Sequence, residues 1–353
     1  MTQTGEEGAE HVAPADVEAL AATLREATKT RSLVQVIGGG TRQGYGSPPA
    51  PDIVLDMRAI AGIETWDPDD LTVTVGAGTP VAQLEETLAT RSQTAVLPEV
   101  PGRSTVGGVI AAGVSSLRRG RLLGTRERML EATLVTGDGR IIRGGGRGVK
   151  NVTGYDLPRL VVGAFGSLGV IASVCLKLWS TPPASATVAI DALDIATRVT
   201  RPLAVLEENG SLRVFLWGTE EEVAATGSRL GGEVSEGHQW PADPAGAYRW
   251  SLRVPPALTS DAVALLPGGW RYLAVHRVGE IKAASDHHEG AAALRDWAEQ
   301  NGGALVVVDA PPDGLNGLDP WGAIPPGLEV QRRIIAQFDP GRIINPGRLP
   351  GGI

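Results

Sequence analysis

Three consecutive glycines, Gly38-Gly39-Gly40, end the run Leu33-Val34-Gln35-Val36-Ile37, which reads as a buried strand. Glycine is in excess throughout, 47 of 353 residues, against a usual share of ~7%. The excess has no G-x-y period and no repeat; it gathers in loops between strand-like runs. Loops of this kind let bare backbone approach a large ligand. Successive N–H groups at residues 38–41 can converge into an anion-binding nest, with Thr41 and Arg42 adding polar contacts. Pyrophosphate is the natural guest, and a plain flexible turn is the alternative. The loop is not the nicotinamide-dinucleotide fingerprint, because Pro48, Pro49 and Pro51 follow where that motif needs a helix.

Composition narrows the function classes. With 32 basic and 40 acidic residues the net charge is −8, so nucleic acid and anionic membrane are not expected partners of the whole surface. Arg118, Arg119 and Arg121 nevertheless cluster where a bound anion has room. The single cysteine, Cys175, rules out an intrachain disulfide and a Cys-only iron–sulfur site. Glu6, Glu7 and Glu10 leave no apolar segment for a signal peptide or membrane span near the N-terminus. A cytoplasmic location is expected, with membrane association only through partners.

Residues 1–13 are polar and read as loose. Val17, Leu20, Ala21 and Leu24 predict a helix. Strands are expected at 33–37, 52–57, 62–67 and 71–75, a helix at 81–91, and a small-residue helix at 107–114. Strands at 132–136 and 140–143 flank the turn Gly137-Asp138-Gly139, and a long apolar run at 169–179 follows. Thr181-Pro182-Pro183 marks a boundary. Beyond it, strands at 187–191, 212–217, 248–254, 271–277 and 304–308 alternate with helices near 220–230, 257–266 and 290–301. A last helix is expected at 328–338.

Three further segments carry candidate chemistry. In the first, Gly102, Ser104, Thr105, Gly107 and Gly108 run into a short helix whose N-terminus can face an anion; alternatively its glycines only allow tight packing. The second holds the arginines at 118, 119 and 121, as readily solvated as ligand-bound. The third joins Asn151-Val152-Thr153-Gly154-Tyr155-Asp156-Leu157 to Gly163, Gly166 and Gly169. An apolar strand follows whose main chain can meet a ring; a bulged strand entry is the plainer reading.

In order and spacing these motifs (GGGT, P-G-x-S-T-V-G-G, G-T-x-E, N-x-T-G-Y-D-L, G-x-x-G-S-L-G-V-I) resemble the FAD-binding half of the vanillyl-alcohol-oxidase, or p-cresol-methylhydroxylase-type, flavoproteins over roughly residues 12–182. The tail Phe338-Asp339-Pro340-Gly341-Arg342-Ile343-Ile344-Asn345-Pro346-Gly347-Arg348 is similar to the family's returning C-terminal segment. The resemblance implies an α+β fold: a two-subdomain FAD-binding domain plus a smaller α+β cap domain with a largely antiparallel sheet. Expected boundaries are a flexible 1–11, FAD-binding 12–182, cap 183–325 and returning 326–353. It also implies that Gly38, Gly39, Gly40 and Thr41 cradle the pyrophosphate. Gly102, Ser104, Thr105, Gly107 and Gly108 would lie by the flavin and ribityl chain, with Gly113, Ser115, Ser116, Gly166 and Ile171 along the same groove. Glu127, where relatives carry Asp, is given a structural role, and Tyr155 and Asp156 an architectural one.

Departures shape the functional expectation. None of these loops has the His or Cys that tethers FAD in several relatives, so noncovalent FAD is expected. Relatives that oxidise 2-hydroxy acids carry a His-rich metal cluster. Here the second half has only His238, His276, His287 and His288, so no metal is expected. The Trp250–Pro256 stretch and Gly269-Trp270-Arg271 look like the FAD-binding subunits of glycolate oxidase. Such subunits take a small 2-hydroxy acid and work with a second flavoprotein subunit and an iron–sulfur subunit. Rival readings are a free-standing FAD enzyme for another alcohol, sugar or lactone, and a flavin-bearing relay subunit. Arg253, Arg271 and His276 are the catalytic candidates. Strand alternation places Arg249, Ser251 and Arg253 on one face, lining a carboxylate crevice or simply wet.

Overall fold

The computed structural model describes residues 8–100, 102–147, 155–312 and 314–353. They form two units, the first from residues 1–115, 124–180 and 324–353, the second from 116–123 and 181–323.

The first unit holds two main sheets. In the smaller, β1 (Glu10–Val12), β2 (Val34–Ile37) and β3 (Ile53–Asp56) run parallel with β3 central. Residues 10–12 are therefore not loose: their backbone pairs with Ile53, Val54 and Leu55, a long-range partnership that polar side chains do not announce. The larger sheet has the order β4 (Ile63–Asp67), β5 (Thr72–Gly76), β9 (Val170–Lys177), β7 (Met129–Val135), β8 (Ile141–Gly145), antiparallel throughout. Its central strand β9 is buried from Val170 to Leu176, which is why that stretch reads as continuous apolar sequence rather than alternation. A short ribbon pairs β6 (Gln93–Thr94) with β10 (Trp179–Ser180).

Local chemistry sets the helices. Asp16 caps Val17–Thr30 by accepting the Ala19 N–H at 2.7 Å. One face of that helix, Leu20, Ala21, Leu24 and Ala27, packs with β2, β3 and the tail residues Ile343 and Ile344. Each fully buried leucine contributes roughly 1.5–3 kcal/mol. Val81–Ala89 and Val106–Ala111 pack on the larger sheet. The helix Leu328–Phe338 follows Gly327, whose backbone is left-handed.

The second unit is one eight-stranded antiparallel sheet in the order β14-β11-β13-β12-β16-β17-β15-β18. These are β11 (Ala184–Ile190), β12 (Ala204–Glu208), β13 (Ser211–Gly218), β14 (Val234–Glu236), β15 (Tyr248–Arg253), β16 (Arg271–Val275), β17 (Glu280–Ser285) and β18 (Ala304–Asp309). β12, β14 and β17 have no counterpart among the strands expected from sequence. Helices Glu220–Leu230, Thr259–Ala264 and Ala291–Gln300 accompany the sheet, the first opened by a Thr219/Glu222 capping box. Trp250 is buried in this core, with its indole N–H donating to the Ser285 hydroxyl at 3.0 Å and its ring stacked on Trp270. The α+β class holds for both units.

Candidate functional site

The end of β2 opens into a solvent-open groove of the first unit. One side is the loop Gly38, Gly39, Gly40, Thr41; opposite lie Thr105, Gly107 and Gly108. Among the described residues, no protein carbonyl accepts the N–H groups of Gly38, Gly39 or Gly40. A Cβ on Gly39 would overlap the Arg103 carbonyl oxygen. The two loops are thus pressed together, and glycine is required there by protein packing as well as by any ligand. Thr41 and Ser104 join the loops by a 3.1 Å hydroxyl–hydroxyl hydrogen bond. Thr105 caps the helix Val106–Ala111, accepting the Gly108 N–H at 3.3 Å.

Ile171 and Val170 line the groove from β9. Pairing of β9 with β5 ends at Gly76, and the Ala77 N–H reaches the Ala172 carbonyl at 2.8 Å. Ile171 keeps its β7 neighbour Leu134, while among the described residues no strand lies along its other edge.

The C-terminal tail completes the wall with Asn345 and Arg348. Asn345 accepts the Val36 N–H at 2.9 Å and donates to the Phe165 carbonyl at 2.7 Å. Gly166, in left-handed backbone at φ 79°, has room only for hydrogen there, since a Cβ would stand 2.7 Å from the Asn345 amide nitrogen. Arg348 is 3% exposed. Its guanidinium donates to the Gln43 and Tyr45 carbonyls and to the Gln43 side chain. All of these acceptors are neutral, and among the described residues no carboxylate pairs with it. Burial pushes its proton affinity down to about 10, so at neutral pH it stays a cation. A buried cation without a counter-charge is costly, and this one borders a groove lined by bare amides.

Of the residues expected to bind cofactor, Gly38, Gly39, Gly40, Thr41, Thr105, Gly107, Gly108, Gly166 and Ile171 meet in this groove. Gly102, Ser104, Gly113, Ser115 and Ser116 are not among its lining. Gly113 abuts Gly163, the Ser115 hydroxyl accepts the Thr125 N–H at 3.3 Å, and the Ser116 hydroxyl accepts the Arg118 N–H at 3.0 Å. Glu127 caps its own short helix through the Gly124 N–H, and Asp156 caps Leu157–Leu160. Residues 151–154 of the Asn-x-Thr-Gly-Tyr motif lie outside the described residues. Asn345 and Arg348, in the tail's Asn-Pro-Gly-Arg motif, line the groove as well, and the motif itself carries no local sign of this.

The catalytic candidates belong to the second unit and do not converge. Arg253 and Val275 flank Glu280 on opposite sides of β17, so Arg253 and His276 share one end of the sheet about 10 Å apart. Arg271 pairs with Ala284, further along β17, and is held by Asp286 at 3.1 Å and by the Ala245 carbonyl. His276 is buried with its Nε2 2.8 Å from Glu207 Oε2. That hydrogen bond holds the Glu207 carboxyl below its usual range, against the opposing effect of burial. Tyr272 donates to the other Glu207 oxygen at 2.6 Å, and burial together with that carboxylate pushes the phenol up to about 12.

Residues 9–145 match the FAD binding domain family. The chain is 29% identical to the glycolate oxidase subunit GlcE of Escherichia coli, over 89% of this chain and 92% of that one. It is 30% identical to a D-lactate dehydrogenase of Archaeoglobus fulgidus, over 63% of this chain and 50% of that one. Among solved structures, an alkyldihydroxyacetonephosphate synthase superposes with a TM-score of 0.66 at 15% identity, covering 95% of this chain and 75% of that one; this likeness concerns the fold alone. The fold and groove define a flavoprotein. Residues 9–145 thus carry an FAD binding domain, the chain is similar over most of its length to a glycolate oxidase subunit, and the unpaired amides and the guanidinium without a counter-charge fit a dianionic diphosphate.

Proposed function

We propose that this chain is the FAD-binding subunit of a glycolate-oxidase-type assembly, converting a small 2-hydroxy acid to the 2-oxo acid and passing the electrons to a partner. The carrying observation is the buried Arg348, with only neutral acceptors, beside the glycine loop. In this reading Gly38, Gly39, Gly40 and Thr41 hold the diphosphate by main-chain N–H groups while Arg348 supplies the opposite charge. Ile171 offers main chain to the ring system, and Asn345 keeps β2 and the Phe165 turn at fixed separation. Bound FAD supplies the acceptor for the hydride that leaves the carbinol carbon as the hydroxyl loses its proton. In this reading the cofactor is held noncovalently: among the described residues neither His nor Cys lines the groove, and Cys175 is buried in β9.

The substrate class follows the similarity to the glycolate oxidase subunit and the D-lactate dehydrogenase. The partners in this reading are a second flavoprotein subunit and an iron–sulfur subunit. Among the described residues no helix is long and apolar enough to cross a membrane. A flavin-bearing relay subunit is the second reading, favoured by the spread of Arg253, Arg271 and His276 over the sheet. Anaerobic visible spectroscopy with glycolate or D-lactate separates the two. Bleaching of the flavin by the isolated chain excludes the relay reading, whereas a colourless protein that takes up no FAD overturns both.

A further inference from the structure

We propose that a second cleft, confined to the second unit, binds the carboxylate of a small 2-hydroxy acid. The choice of acid rests on the proposed function; the case for an anion does not. The cleft is open to solvent and lies between the segment around Arg121, residues 200–205 leading into β12, and the turn joining β16 to β17. Arg121, Arg201, Arg277 and His276 line it, and no aspartate or glutamate does. In a chain of net charge −8, a lining of three guanidinium groups without an acid is a local reversal of the overall balance.

The fold holds these cations in place. Arg121 donates to the Arg201 carbonyl at 2.8 Å and lies 6.0 Å from the centre of the Trp217 ring. Burial weakens its hold on the proton and the charge of Arg201 weakens it further, with Glu222, outside the lining, opposing both in part. Two like charges kept this close repel, and an anion between them removes the repulsion. Arg277 sits in left-handed backbone at φ 68° and donates to the Ala196 and Val199 carbonyls at 2.9 and 3.2 Å. These carbonyls take only part of the five N–H donors on each guanidinium, leaving a planar fork suited to a carboxylate. Glu207 holds the His276 ring through Nε2 at 2.8 Å, which fixes the imidazole at the wall of this cleft. An acid with a hydroxyl on the adjacent carbon presents a carboxylate for the guanidinium groups and a hydroxyl for the imidazole that line this cleft.

Titration calorimetry of the full chain, its flavin reduced beforehand with one equivalent of dithionite, tests the site with glycolate, D-lactate and glycolamide. Glycolamide is the uncharged analogue of glycolate. One acid is expected to bind per chain, with glycolamide at least tenfold weaker. Arg201→Gln, at an exposed side chain, is expected to weaken glycolate at least tenfold with flavin content unchanged, and Arg121→Gln to weaken it further. Equal binding of glycolate and glycolamide, binding of neither acid, or wild-type affinity in the double variant overturns the site. Glycolate that binds here but never bleaches oxidised flavin counts against the proposed reaction and leaves the site standing. Bleaching with unaltered KM in the double variant does the reverse.

Discussion

Asn345 donates a 2.7 Å hydrogen bond to the carbonyl of Phe165, a residue 180 positions earlier and held at φ 50°. The same amide accepts the Val36 N–H, so one side chain ties the tail to both β2 and the turn before β9. Asn345→Ala leaves two backbone groups without their partner. A loss of about 2–4 kcal/mol in urea unfolding is expected, with reduced flavin content. Asn345→Asp keeps the acceptor and loses the donor, and should fall between. Wild-type stability in the alanine variant would show that the tail is not fastened by this residue.

Arg348 separates charge from packing. Arg348→Met should lower FAD affinity at least tenfold while changing riboflavin affinity less than threefold, because riboflavin has no diphosphate. Arg348→Lys retains a point charge without the fork and should recover part of the loss. Fluorescence titration of the flavin-free protein reads both ligands. Equal losses for the two would mean that Arg348 serves only to hold the Gln43 and Tyr45 carbonyls.

Neighbouring glycines should respond in opposite ways. A side chain on Gly39 collides with the Arg103 backbone, while the nearest atom to one on Gly40 is the Arg103 side chain at 3.8 Å. Gly39→Ala is therefore expected to force the loops apart and abolish flavin retention, as is the bulkier, charged Gly39→Glu. Gly40→Ala, paying only for its left-handed φ of 69°, should cost about 1–2 kcal/mol and stay yellow. Absorbance of the purified variants at 450 nm decides between these outcomes.

Glu207 gives a pH signature. Its folded pKa lies below the ordinary 4.5, chiefly through the His276 hydrogen bond. A depressed carboxylate stabilises the fold above its unfolded pKa, and that stabilisation is lost as pH falls through the folded value. The stability advantage of wild type over Glu207→Gln should be about 1–3 kcal/mol at pH 7 and shrink below pH 4.5. Tyr272 has the opposite sign: its pKa is raised from 10 to about 12, so its contribution holds below pH 10 and fades between those values. Denaturant midpoints across pH check both, and a difference that does not vary with pH would dissociate Glu207 from His276.

Elements with a local signature were legible in the sequence. The helix Val17–Thr30 announces itself by Asp16 and the spacing of Leu20, Ala21 and Leu24, and β5 by its alternating Thr and Val. By contrast, β17 reads Glu-Ile-Lys-Ala-Ala-Ser, with little preference for an extended chain; its two neighbours, β15 and β16, make it a strand. β12, Ala-Val-Leu-Glu-Glu, is composed largely of helix formers and is extended by pairing with β13 and β16. The glycine loop at 38–41 was readable because several glycines after a strand have few other uses. Arg348 was not, because a tail arginine is ordinarily a wet one and nothing local says that the Arg42, Gln43 and Tyr45 carbonyls of another loop surround it.

β2 also bonds directly to the tail, where Val34 donates to the Ile343 carbonyl and accepts from the Asn345 N–H. A strand emerging early from the ribosome thus lacks its last neighbours until some three hundred further residues have been translated. The nascent chain has no finished cradle, and cofactor capture becomes an event that follows synthesis rather than accompanies it.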